Sequence, residues 1–132
     1  MSATKRILLV DDDESVLTCI RRMLEWRFDF DFAVGASAAL EVLSARGPFA
    51  VIVTDLRMPG MSGIELLSRA QKLSPHTVGL LLSGGTHSDE TDDATRKGIV
   101  FQLVEKPCES ARLIEAILEA LARHELMIQV TS

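Results

Sequence analysis

Short, continuously apolar runs alternate along this chain with longer segments in which apolar residues recur every three or four positions. A short apolar run between polar boundaries is typical of a strand that is buried on both faces, whereas the wider spacing is typical of a helix with one covered side. The predicted strands are residues 7–10, 30–34, 50–54, 78–82 and 100–104. The predicted helices are residues 14–26, 36–45, 63–73 and 110–126, with a weak candidate at 88–97.

The second strand and the weak helix differ from the other predicted elements. Phe30, Phe32 and Val34 alternate with polar or small residues, which predicts a strand with one covered face. Segment 88–97 begins with a serine that can cap a helix, but its one apolar residue is Ala94. A helix there would bury little, so we expect it to be loosely held.

The order of the elements predicts an α/β fold with a doubly wound, five-stranded parallel sheet flanked by helices. Continuously apolar strands indicate a sheet covered on both faces, and strand-helix alternation is typical of parallel sheets. The chain has 132 residues, enough for one domain with a real core. We assign residues 1–132 to a single domain, with a core at about 5–126 and a tail at 127–132.

Composition and charge limit the classes of protein to which this chain can belong. Hydrophobic residues make up 47% of the chain and charged residues 25%, with a net charge of -5. A mildly acidic domain is a poor nucleic-acid binder by itself, because phosphate contacts need clustered Lys and Arg. No apolar segment is long enough to span a membrane. Cys19 and Cys108 lack metal-like spacing, so we expect a reduced, cytoplasmic protein with no disulfide.

Polar residues follow four of the five predicted strands. Asp11 and Asp12 end the first strand and Asp55 follows the third, while Ser83 and Lys106 follow the fourth and the fifth. Ligands of open parallel sheets bind beyond the carboxyl ends of the strands. We therefore expect these five side chains to share one rim of the sheet.

The residue types at this rim favour phosphoryl chemistry with a metal ion. Neighbouring carboxylates repel each other unless one is protonated or a cation lies among them, and oxygen ligands suit Mg²⁺. A carboxylate can attack a phosphoryl donor, while the metal and a lysine stabilise the transferred group and Ser83 donates a hydrogen bond. Taken singly, each residue has a plainer interpretation as a helix-end, turn, loop or solvated residue. Their coincidence on one rim favours a site.

Four segments carry a family resemblance. They are ILLVDDDE at 7–14, VTDLRMPGMSG at 53–63, LSG at 82–84 and EKP at 105–107. Together they resemble the receiver domains of two-component response regulators, in order and spacing from about residue 5 to about residue 126. The resemblance implies the receiver topology, which is the flavodoxin-like doubly wound fold.

The resemblance also implies a metal site for Mg²⁺ or Mn²⁺. Asp12 matches the direct ligand and Asp11 its neighbour, which acts partly through water. Asp55 contributes to the same site, and the backbone carbonyl of Arg57 matches the third protein ligand. The Arg57 side chain either contacts phosphate or a partner or is solvated.

Other roles concern the phosphoryl group. Asp55 matches the phosphoacceptor, Ser83 the hydroxyl that follows the phosphoryl group on switching, and Lys106 the lysine that pairs with it. The family has a cis bond before the matching proline, so the Lys106–Pro107 bond is expected to be cis.

The implied function is a signalling switch rather than an enzyme with turnover. A sensor histidine kinase or a phosphotransfer protein would donate the phosphoryl group, and the domain would catalyse its own phosphorylation and slow hydrolysis. The last helices and strand would form the signalling surface toward an unknown output domain or protein, and a second copy of the chain is a further candidate partner. Residues 80–85 and 100–108 resemble receivers joined to HD-type cyclic-dinucleotide hydrolases.

One departure from the family concerns the switch aromatic, which normally lies three residues before the lysine. That position is Leu103, and Phe101 lies two residues earlier. Alternation along a strand predicts that the two side chains face the same side, with core packing favoured for Phe101. Met23 and Trp26, at helical spacing, are likewise expected in the core.

Two rival functions are disfavoured by particular residues. Haloacid-dehalogenase-type phosphatases need a second acid two residues after the nucleophile, where this chain has Arg57. A flavodoxin-like nucleotide binder needs a Gly-rich or Ser/Thr-rich loop after the first strand. Residues 11–14 are all acidic there and would repel phosphate without a metal.

Overall fold

The computed structural model describes residues 4–85, 88–106 and 110–131. Strands and helices alternate throughout this part of the chain. The elements are β1 (Arg6–Asp11), α1 (Glu14–Leu24), β2 (Asp29–Val34), α2 (Ala36–Arg46), β3 (Val51–Asp55), α3 (Gly63–Leu73), β4 (Val78–Ser83), α4 (Asp89–Arg96), β5 (Gln102–Glu105) and α5 (Ser110–Thr131).

The five strands form one parallel sheet in the order β2-β1-β3-β4-β5. This arrangement confirms the predicted fold class. In the register of the sheet, Asp55 lies opposite Leu82 and Ser83 lies opposite Glu105. The carboxyl ends of β1, β3, β4 and β5 therefore meet at one rim.

Two apolar layers cover the sheet. Leu80 and Leu82 point into a layer closed by α1 and α5, whereas Leu81 points into the layer closed by α2, α3 and α4. Successive side chains of a strand point to opposite faces, so a strand between two covered layers must be apolar at every position. This is why the central strands are continuously apolar in sequence.

Several predicted boundaries shift in the structure. Helix α1 ends at Leu24, so Trp26 lies beyond the helix and is exposed, contrary to its predicted place in the core. Phe30 and Phe32 pack against the core as predicted, but Val34, at the end of the edge strand β2, is exposed. Helix α5 continues past residue 126 to Thr131. No helix in the described segments is long and apolar enough to cross a membrane.

Helix α4 is present and is capped at both ends. Ser88 Oγ accepts the Thr91 N–H at 3.2 Å, and Thr91 Oγ1 accepts the Ser88 N–H at 2.9 Å. At the other end Gly98 has φ +78°, and the Ile99 N–H donates to the Ala94 carbonyl at 3.0 Å. This is a Schellman ending, in which a left-handed residue lets the chain turn back on the helix. Two residues of α4 are buried, Thr91 and Ala94.

Candidate functional site

Three carboxylates lie together at the carboxyl rim of the sheet. Asp11 ends β1, Asp12 follows it, and Asp55 ends β3. One oxygen from each carboxylate lies within 4.8 Å of the other two. Asp11 is buried, Asp55 is partly buried and Asp12 is exposed, so the cluster opens to solvent on the Asp12 side.

Lys106 joins two of these carboxylates. Its Nζ lies 3.2 Å from Asp11 Oδ2 and 3.1 Å from Asp55 Oδ1. Its backbone N–H donates to the Ser83 carbonyl at 2.7 Å, which holds the residue at the end of β5. Burial alone would lower the pKa of Lys106, but the hydrogen bond to Asp55 and the charges of Asp11 and Asp55 outweigh burial and raise the pKa. The lysine is therefore a fixed positive charge at the rim.

Asp13 has a positioning role that the sequence argument missed. Its backbone N–H donates to Asp11 Oδ1 at 2.9 Å, and its own carboxylate caps α1 by accepting the Ser15 N–H at 2.9 Å. The side-chain and backbone hydrogen bonds from Ser15 lower the pKa of Asp13. An aspartate directly before the first residue of a predicted helix is the sequence signal for such a cap.

Gly63 is the second residue that the sequence argument missed. A Cβ at this position would collide with the backbone carbonyl of Asp55. The Gly63 N–H also donates to the Leu56 carbonyl at 2.9 Å. The loop after Asp55 can close tightly against the start of α3 because residue 63 has no side chain. In the sequence, the glycine at the end of this motif is the one indication of such a close approach.

Ser83 and Arg57 flank the cluster. Ser83 is buried at the end of β4, and its Oγ accepts the Gly85 N–H at 3.3 Å. Arg57 is exposed, two residues past Asp55. Within the described segments no N–H donates to the Arg57 carbonyl, so that oxygen has a free lone pair for a ligand.

The prediction that Phe101 and Leu103 face the same side is wrong. Phe101 packs against the apolar layer of α1 and α5, whereas Leu103 packs against the layer of α2, α3 and α4. Strand β5 begins at Gln102, so Phe101 lies in the bend before it and does not follow the two-residue alternation of the strand. The expected cis bond at Lys106–Pro107 falls on Pro107, which lies outside the described residues, as does Cys108.

The donor set fits a divalent cation. In their ionised forms, the carboxylates of Asp11, Asp12 and Asp55 carry three negative charges and Lys106 carries one positive charge, which leaves two negative charges to balance. The donors are oxygen atoms, which Mg²⁺ and Mn²⁺ prefer, and the exposed side leaves room for the waters that Mg²⁺ retains.

Comparison with known proteins identifies the family. The family model described as the response regulator receiver domain matches residues 7–118. The chain belongs to this family. The receiver domain is similar to the transcriptional regulatory protein FixJ of Rhizobium meliloti, with 36% identity over 115 residues, 85% of this chain and 54% of FixJ.

Solved structures show the same similarity. A structure of adenylate cyclase from Rhodopirellula baltica superposes with a TM-score of 0.92 at 34% identity, covering 97% of this chain and 95% of that one. A signal receiver domain of an HD domain-containing protein from Pseudomonas fluorescens Pf-5 superposes with a TM-score of 0.83 at 28% identity, covering 90% and 95%. This receiver domain spans 24% to 54% of the length of the curated relatives that it matches.

Proposed function

We propose that this receiver domain accepts a phosphoryl group on Asp55. The observation that carries the proposal is the position of the Lys106 ammonium, 3.1 Å from the Asp55 carboxylate and 3.2 Å from that of Asp11. A structural aspartate needs one partner, whereas this one shares its cation with a second carboxylate and lies within 4.8 Å of a third. Such an excess of negative charge favours a site that binds a cation, and the cation together with Lys106 would in turn attract phosphoryl oxygens.

Phosphoryl transfer then follows from the positions of the side chains. A carboxylate oxygen of Asp55 attacks the phosphorus of a phosphohistidine, the P–N bond breaks as the P–O bond forms, and the electron pair leaves with the imidazole nitrogen. Lys106 offsets the negative charge of the incoming group, as positive groups do in other phosphoryl transfers. The partial exposure of Asp55 allows the donor to approach from solvent.

The metal site is part of the proposal. Asp12 and Asp55 would bind Mg²⁺ directly, Asp11 partly through water, and the Arg57 carbonyl would complete the protein ligands. The bound ion supplies positive charge beside the transferred group. Asp13 holds Asp11 in place for this site through its N–H. Mn²⁺ would serve as well, because it accepts the same oxygen ligands.

Switching would run from Ser83 to the surface of α4, β5 and α5. The Ser83 hydroxyl, whose one partner among the described residues is the Gly85 N–H, would turn to donate to the phosphoryl oxygen. Ser83 lies in register with Glu105 of β5, so its movement reaches the strand that carries Leu103. Leu103 has no ring to flip, so we propose that α4 responds by redistributing its conformations.

The partners in this proposal are a sensor histidine kinase or a phosphotransfer protein, acting in the cytoplasm. The curated relatives are longer than this chain, so we propose that the receiver controls a further domain or a separate protein. No direct contact with nucleic acid is proposed, because the net charge is -5.

Phosphorylation by a small donor tests the proposal. Incubation with phosphoramidate and Mg²⁺, followed by intact-mass measurement, should give one phosphoryl adduct that hydroxylamine removes, because an acyl phosphate is the expected product. Asp55→Asn should show no adduct, and Asp12→Ala should show at least about tenfold less, because losing a direct metal ligand should cost at least as much as losing a residue that orients one. Asp93→Asn, which changes a half-exposed carboxylate on α4 that pairs with Lys97 away from the Asp55 cluster, is the matched control and should be phosphorylated normally. An adduct that persists in Asp55→Asn contradicts the proposal.

A further inference from the structure

A groove lies at the opposite end of the sheet from Asp55. It runs between α5 and the segment that joins α1 to β2, has a volume of about 790 Å³, and has Phe28, Leu118 and Leu121 among its apolar lining residues. Next to it, Trp26 is 72% exposed, although tryptophan is usually mostly buried. The Arg27 guanidinium lies 6.0 Å from the Trp26 ring centre and 5.6 Å from that of Phe28, so the three side chains form one surface. An exposed tryptophan beside a partly apolar groove is a candidate contact surface for a partner.

Four charged residues surround the groove. Lys5 and Arg27 are cations, and Asp29 and Glu125 are anions. None of the four forms an ion pair or a side-chain hydrogen bond with another described residue. With respect to the described part of the chain, the groove therefore presents two positive and two negative charges that are available to pair with a partner.

We propose that this groove is the contact surface of a homodimer, in which Arg27 of each copy pairs with Glu125 of the other and Trp26 becomes buried. A two-fold contact needs one surface that carries both members of each pair, because residue i meets residue j and j meets i. The groove has this property, since it holds both signs of charge beside an apolar floor. The inference is independent of the proposed phosphorylation, because the groove and the Asp55 rim lie at opposite ends of the strands.

The balance of charge favours a second copy over other partners. The whole chain carries a net charge of -5, so two copies repel each other over most of their surface. At the groove the four charges sum to zero, so the groove itself adds no net repulsion between two copies that meet there. A strongly basic partner would instead be drawn to the acidic parts of the surface. Nine residues line the groove, fewer than the roughly 20–30 residues that each partner contributes to a standard interface. We therefore expect a weak dimer with a dissociation constant on the order of 100 µM.

The sole tryptophan makes the interface directly observable. Sedimentation equilibrium and Trp26 fluorescence are followed for the metal-free, unphosphorylated chain from about 5 µM to about 1 mM, a range that brackets the expected constant. The average mass should rise toward that of a dimer, and the emission maximum should move to shorter wavelength over the same range. Arg27→Glu and Glu125→Arg should each weaken the dimer about tenfold, because each change replaces two attractive pairs per dimer with repulsive ones. The double variant carries the swapped charges and should restore association.

Leu73→Glu is the matched control, because Leu73 is an exposed leucine at the end of α3 and lies outside the groove. It should dimerise like the unchanged chain, and thermal melts should show that all variants fold. A chain that stays monomeric to about 1 mM overturns the proposal, because the surface would then serve another occupant. A dimer that neither single variant weakens, or that the double variant fails to restore, overturns it equally.

Discussion

At the scale of single residues, Lys106 organises the site. It is the one described cation that contacts the carboxylate cluster, and its two partners are 95 and 51 residues away along the chain. Removing its charge leaves two close carboxylates without compensation, which destabilises the fold as well as the proposed chemistry. Electrostatic stability and the proposed phosphoryl binding would therefore depend on the same ammonium group.

The raised pKa of Lys106 gives a stability prediction with a definite sign. The stabilisation that Lys106 provides is fully present below its unfolded pKa of 10.5 and is lost as the pH rises through the higher folded pKa. In metal-free buffer, Lys106→Met should lower the free energy of unfolding by about 1 kcal/mol at pH 8, a figure reduced for the partial exposure of the side chain. By about pH 12 the difference from the unchanged protein should have shrunk. Urea denaturation at the two pH values measures it.

Lys72→Met is the control for that experiment, because Lys72 is an exposed lysine in the last turn of α3 with no described ion pair. Its effect should be small at both pH values. A Lys106→Met effect that is independent of pH would show that packing of the side chain, rather than its charge, stabilises the fold.

At the scale of elements, α4 is held in place mainly by the hydrogen bonds at its two ends. Its capping box and Schellman ending satisfy the terminal backbone groups locally, while burial is limited to Thr91 and Ala94. Caps of this kind contribute about 1 kcal/mol each, much less than the burial of several large side chains. We therefore expect α4 to open more readily than α3 or α5, which are anchored by leucine and isoleucine in the core.

Hydrogen exchange tests the dependence of α4 on its caps. Amides of α4 should exchange faster than those of α3 and α5, and beryllofluoride should slow them if α4 reports phosphorylation. Gly98→Ala should speed exchange in α4 alone, because Gly98 has φ +78°, which costs a residue with a Cβ about 1 kcal/mol. Gly98→Asn is the control and should have less effect, because asparagine tolerates the left-handed region. Protection of α4 equal to that of α5 in the unactivated protein contradicts the prediction.

At the scale of the whole molecule, both apolar layers depend on one sheet. Leu80 and Leu81 are neighbours in β4, are fully buried, and face opposite layers. Damage on either side of the sheet therefore weakens the strand that the two layers share. We therefore expect the whole chain to unfold in one cooperative transition, as a single domain does.

Truncations on the two sides of β4 test that cooperativity. Leu80→Ala and Leu81→Ala should each lower the free energy of unfolding by about 2–5 kcal/mol and keep a single transition, because each leaves a cavity in a closed layer. The exposed Leu73→Ala should change it by less than about 0.5 kcal/mol. Urea denaturation followed by circular dichroism and by Trp26 fluorescence provides the measurement. Two separate transitions in either core variant would refute the single unit.

The elements and the composition of the rim were predictable from the sequence, because both depend on local patterns. Continuously apolar strands need cover on both faces, and alternating strands and helices lead to a parallel sheet whose carboxyl ends meet. Asp11, Asp12, Asp55 and Lys106 follow strand ends in sequence and lie together in the structure. Ser88 likewise marks the start of α4 in the sequence, and the structure has a capping box there.

Other features could not be predicted from the spacing of residues, because they depend on contacts between distant parts of the chain or on where an element ends. Helical periodicity does not say where a helix ends, so Trp26 was expected in the core and lies exposed beyond α1. Strand alternation holds only within a strand, so Phe101, in the bend before β5, packs on the side opposite to Leu103. The groove beside Trp26 forms where α5 packs against a segment about ninety residues earlier in the chain. Only the tertiary structure brings these two segments together.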